Sequence, residues 1–152
     1  MKIFFYLFLI TSQIGFAQQS KPFKTCSKTV NYAVDDLVLR KKVGMDLKVP
    51  VSNPTYFGGT QALKSFFAAN PIDDSIYIFR TLIGFVVNCK GEIGNMEIIS
   101  DAKDDKVQQA LTVAKKMPRW KPAISEKGKP IDSYQVITLT VKGSQIIDVE
   151  YK

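Results

Sequence analysis

Beyond residue 60 the chain alternates between two apolar spacings. Leu63, Phe66 and Phe67 recur at the period of one helix face, and Asn70-Pro71 closes the run because a residue before proline resists helical dihedrals. This predicts a helix over Thr60–Ala69 with Thr60 as its N-cap. Residues 76–88 change to a period of two and are rich in β-branched and aromatic side chains. Ile83, Phe85 and Val87 fall on one face, and Leu82, Gly84 and Val86 on the other. Asn88-Cys89-Lys90-Gly91 supplies turn chemistry and the chain returns over Glu92–Ser100, which predicts a hairpin. Ile93 is out of phase with Met96 and Ile98, placing a bulge near Gly94-Asn95. Val107, Ala110, Leu111, Ala114 and Met117 then form one helical stripe. Asp104-Asp105 sit at its positive end, Lys115-Lys116 at its negative end, and Pro118 stops it. Gly128-Lys129-Pro130 turns the chain into a third strand, Ile131–Lys142. Ile147, Val149 and Tyr151 alternate again, as a short edge strand or a fraying tail. Two helices on one face of an antiparallel sheet of about three strands make an α+β domain, and such a sheet has an exposed edge.

The segment before residue 54 is patterned differently. Lys2, the apolar run Ile3–Ile10 and the small-residue ending Gly15-Phe16-Ala17 read as a secretory signal over residues 1–17. The run is too short for a spanning helix, which needs ~20 apolar residues. The expected location is therefore the periplasm after cleavage, with an inner-membrane anchor as the alternative. Residues 18–53 read as an arm: polar at first, with a short apolar stretch at Leu37–Leu39 (strand or helix), then a loop over Pro50–Pro54. Residues 54–152 carry the folded domain.

Composition narrows the chemistry. The chain has 152 residues and no histidine, which removes Ser-His-Asp and Cys-His catalysis, HExxH zinc sites and His-ligated haem. Two cysteines cannot make a closed four-cysteine zinc site. Asp73-Asp74 and Asp104-Asp105 are neighbours in sequence, which does not make them converge on a substrate. No catalytic residue, metal or cofactor is expected, and the chain is read as not an enzyme. In an oxidising compartment Cys26 and Cys89 either form a disulfide or remain two free thiols. Lys+Arg outnumber Asp+Glu by 21 to 14, with the densest cluster between Lys115 and Lys129. That cluster is a solvated face or an attractor of anionic glycan, lipid or acidic peptide. Nucleic acid is a poor match for an exported chain.

Met117-Pro118-Arg119-Trp120-Lys121-Pro122, followed by Gly128-Lys129-Pro130-Ile131, resembles the C-terminal domain of TonB-type energy transducers in the form common in Bacteroidetes. Gly58-Gly59 with Ala62, Leu63 and Phe66, and Phe85-Val86-Val87-Asn88 with Gly91 and Ile93, extend the resemblance over about residues 54–142. Phe57-Gly58-Gly59 stands where that family has Pro-Gly-Gly, and Asn70-Pro71-Ile72-Asp73 where it has Tyr-Pro. The resemblance implies a TonB C-terminal-like fold. It also implies a module that engages TonB-dependent outer-membrane receptors by strand addition in nutrient transport. With its N-terminal segment cleaved, such a module would bind without transmitting force from a membrane motor.

Strand addition uses main-chain hydrogen bonds and needs an open sheet edge. The candidate edge is Ile131–Lys142, with Ile131, Tyr134, Val136, Thr138 and Thr140, provided that residues 145–151 do not cover it. A second candidate surface joins Arg119, Trp120, Lys121, Lys127 and Lys129, with Trp120 either stacking on sugar or capping the core between its two prolines. That surface supports the alternative function, a non-catalytic envelope protein that binds peptidoglycan or another anionic surface. A homodimer is left open.

Overall fold

The computed structural model describes residues 22–32, 50–73, 78–100 and 104–151. The signal segment and Leu37–Leu39 lie outside the described residues. The described elements are β1 (Asn31–Tyr32), β2 (Thr55–Tyr56), α1 (Gly59–Ala68), β3 (Ile78–Val87), β4 (Ile93–Ile98) and α2 (Asp105–Ala114). They continue with β5 (Trp120–Lys121), β6 (Ala123–Ile124), β7 (Pro130–Ile131), β8 (Ser133–Lys142) and β9 (Gln145–Tyr151).

The two longest strands are the spine. β3 and β8 pair antiparallel over their whole length, from Ile78 opposite Lys142 to Val87 opposite Ser133. β4 pairs with the far side of β3. The far side of β8 is shared: β9 pairs antiparallel with residues 137–142, and β1 pairs parallel with Ser133 and Tyr134. The sheet therefore has five strands, not three. The residues expected to alternate or fray at the C-terminus form a strand with one bulge, at Ile147, because Ile146 and Val149 bury against the main core. β2–β5 and β6–β7 are two-stranded ribbons beside the sheet. Ile131 belongs to the second ribbon, opposite Ala123, so the long strand begins two residues later than the alternation suggests.

Both sheet faces are apolar. On one face Ile83, Phe85, Val87, Ile137, Leu139 and Val141 bury against Leu63 and Phe67 of α1 and Ala110, Leu111 and Ala114 of α2. On the other, Val86, Tyr134 and Val136 form a smaller cluster, covered by Phe23 and Val30 of the arm with Leu82 and Ile99. Gly84 lies on that second face, where a Cβ would overlap the Tyr134 hydroxyl. That hydroxyl lies 3.1 Å from the Glu97 carboxylate and donates to it.

Both helices form where expected, with a change at one cap and at one end: α2 stops at Ala114, and a tighter turn rather than helix carries the chain on to Met117 and Pro118. Asp104 accepts the Lys106 N–H at 2.8 Å, satisfying one of the free donors of the first turn of α2. Val107, Ala110, Leu111, Ala114 and Met117 are all buried. α1 starts at Gly59 with Gly58 as N-cap and no side-chain cap, so Thr60 does not cap it. The cause is the glycine pair: Gly58 and Gly59 take φ of 84° and 73°, a left-handed turn open to glycine, and the helix is entered before Thr60 is reached. The expected bulge is present: the β3–β4 register slips between Gly84 and Val86, and Asn95 has φ 50°.

Trp120 is the largest fully buried side chain, 1% exposed. Its ring meets Phe85, Tyr151 and Tyr56 edge-on at 5.1, 5.2 and 5.6 Å between centroids. Its peptide N–H donates to the Gly91 carbonyl at 2.8 Å, which ties the β3–β4 turn to β5. Trp120→Ala should lower the unfolding free energy by about 3–5 kcal/mol in urea titrations, as for a large ring removed from a packed core. A loss under about 1 kcal/mol, the size expected of a surface change, would contradict this role.

Candidate functional site

The structure separates the residues that strand addition would use. Tyr134, Val136, Thr138 and Thr140 lie on β8, the interior strand, and Ile131 is outside it. β3 takes one edge of β8, and β9 with β1 takes much of the other. The expected open edge is therefore occupied along residues 137–142. Apolar alternation identifies the faces of a strand and carries no signal for its lateral neighbours, so the sequence could not decide this.

The proposed basic surface is also dispersed. Trp120 is core and presents no ring for stacking on sugar. Arg119 lies 3.4 Å from the Glu92 carboxylate. Lys127 and Lys129 are exposed on the turn joining β6 to β7. Lys121 stands 5.8 Å over the ring of Phe57, which is 54% exposed and which sequence reasoning read only as part of the glycine turn.

Cys26 and Cys89, 63 residues apart, are joined in a disulfide. Two buried polar side chains, both missed in the sequence, organise this junction. Asp132, 1% exposed, accepts the Ser27 N–H at 2.7 Å on one carboxylate oxygen and the Cys89 N–H at 2.8 Å on the other. One carboxylate thus clamps the peptides beside both cysteines. Asn88 donates to the Lys24 carbonyl at 2.9 Å and to Glu92 at 2.8 Å, while its oxygen accepts the Lys90 and Glu92 N–H groups. The Asn88-Cys89-Lys90-Gly91 turn signal hinted at this second clamp. Asp132 gave no such signal, since it stands among polar neighbours, Lys129, Ser133 and Gln135. A cleft of about 600 Å³ lies along the arm, lined by Phe23, Lys24, Cys26, Lys90, Glu92 and Ile93 among others.

Among the described residues the outer sides of β4, β9 and the two-residue β1 lack a strand neighbour. β4 is interrupted by the bulge at Asn95, and the Phe23 ring lies on Gly94 so closely that a side chain there would overlap it. β9 is longer and carries Ile147, 51% exposed. Lys64 of α1 lies 2.8 Å from Asp148 of β9. The Lys64 hydrogen bond holds the Asp148 carboxyl below the usual carboxylate range, against partial desolvation.

No family model, curated protein or solved structure matches the chain. Among the described residues no helix is long and apolar enough to cross a membrane.

Two predictions follow from these contacts. Reducing the Cys26–Cys89 bridge should lower the unfolding free energy by up to about 4 kcal/mol, the chain-entropy value for a loop of this length; unchanged urea midpoints with and without reductant would contradict a tethering role. The Asp148–Lys64 pair contributes above the ordinary carboxylate value of 3.8 and loses its contribution as pH falls through the lower folded value. Lys64→Met should therefore raise the Asp148 titration midpoint, read by carboxyl NMR, and cost stability near neutral pH but not in strong acid. An unmoved midpoint would show that Lys64 does not set it.

Proposed function

We propose that the chain is an exported, non-catalytic binding module of the TonB C-terminal type, which takes its partner as an added strand on the outer side of β9. The observation that carries this reading is the state of that strand. β9 is a seven-residue strand, paired with β8 on one side except for a bulge at Ile147, and with no strand neighbour on the other among the described residues. Strand addition draws affinity from main-chain donors and acceptors and takes specificity from alternate side chains. Exposed Ile147 is the apolar contact available to such a partner. The partner class is the short extended segment that the family's outer-membrane receptors present.

Export is supported by the disulfide, since such bridges persist in oxidising compartments. The peptidoglycan reading is the weaker of the two, because its aromatic platform, Trp120, is buried and Arg119 is already paired. A photo-cross-linking residue at position 147 should capture extended peptides taken from TonB-dependent receptor N-termini. The same residue at position 140, inside the sheet, should capture none. Capture at 140 with none at 147, or no capture at either, would overturn the reading.

A further inference from the structure

Cys26, Cys89 and Asp132 bring three potential metal-ligand atoms within 4.8 Å of one another, from the arm, the β3–β4 turn and the residue before β8. Asp132 is buried, and no cation pairs with it among the described residues; only the two backbone N–H groups meet it. A buried carboxylate without a counter-charge is costly, and such groups are usually paired or bound to metal. Each carboxylate oxygen keeps a further lone pair after accepting one N–H. Those N–H groups belong to Ser27 and Cys89, so they hold the carboxylate against the sulfur pair, as outer donors orient a metal ligand.

We propose that, with both cysteines reduced, these three side chains bind one zinc-class divalent cation, so that the arm is tethered by metal wherever it is not tethered by a disulfide. Two thiolates and a carboxylate suit zinc, and three protein ligands leave a fourth tetrahedral position for water. Cys26 is exposed, and a cleft of about 380 Å³ lined by Cys26, Asn31, Cys89 and Asp132 among others gives access. Bonds of ~2.0–2.3 Å place ligand atoms roughly 3.3–3.8 Å apart, so the two sulfurs, bonded to each other in the oxidised chain, move apart on reduction to admit the ion.

The two tethers exclude each other. A small dithiol reductant delivers two electrons and two protons to the disulfide, giving two thiols, and is itself oxidised to its own disulfide. The thiols then release both protons to solvent as two sulfur–metal bonds form. The oxidised chain has no sulfur to offer.

The test uses the full chain, reduced with a dithiol, freed of it under anaerobic conditions and titrated with Zn²⁺ or Cd²⁺ alone. Reduced protein should take up one equivalent, with the ultraviolet absorbance of a cadmium–thiolate bond, and oxidised protein none. Asp132→Asn, shown by circular dichroism to fold when oxidised, should bind at least about tenfold more weakly, since losing even an outer-shell partner of a metal ligand costs that much. The cadmium NMR shift of the wild-type complex reports oxygen beside sulfur even if that variant fails to fold. Uptake no greater than that of Cys26→Ser, equal affinity in Asp132→Asn, or a sulfur-only cadmium shift would overturn the proposal.

Discussion

The full-length pairing of β3 with β8 governs the rest of the molecule. Both strands carry apolar side chains along one face and, over Leu82–Val86 and Tyr134–Val136, on part of the other, so a sheet built on them cannot leave either apolar surface to water. Two helices cover one face. They do not reach the other, where Val86, Tyr134 and Val136 would be wetted but for Phe23 and Val30. The arm is thus a second layer of the fold. A short segment with few apolar contacts loses more entropy on ordering than such contacts return. A covalent bridge, a buried carboxylate clamp and the Asn88 hydrogen bonds converge on it for that reason.

The same pairing decides which edges remain. With β3 on one side and β9 and β1 on the other, β8 is interior, and its main-chain groups are largely committed. The remaining edges are defended unequally. β4 has a bulge and a ring lying across it, two devices that discourage pairing. β9 has an ion pair to α1 and a register shift at its N-terminal end, yet keeps an exposed isoleucine. Main-chain recognition at such an edge needs few distinctive side chains, which fits a chain without histidine and with its lysines scattered.

Local signals were read well from the residues, and lateral and long-range ones poorly. The α2 stripe, its Asp104 end and the bulge beside Gly94 follow from spacing and turn chemistry, which act over a few residues. Thr60 misled because a good capping side chain counts for nothing when two preceding glycines enter the helix first. Trp120 had two readings between its prolines, and only the surrounding rings of Tyr56, Phe85 and Tyr151 choose the core. The open edge on β8 stayed conditional on residues 145–151, and β9 fills it, because a pleat reveals which side chains share a face, not which strand lies alongside. Cys26 and Cys89 left two outcomes open, since a separation of 63 residues says nothing about distance in space.

The central claim is that the arm is a structural layer over the second sheet face. Site-resolved amide hydrogen exchange, on oxidised and reduced protein with a chelator present throughout, tests it most directly. If the arm is that layer, reduction should raise exchange in residues 22–32 and at Ser133 and Tyr134, while Ile137–Val141 beneath the helices stay protected. Unchanged exchange along the arm, or a uniform rise across β8, would contradict it.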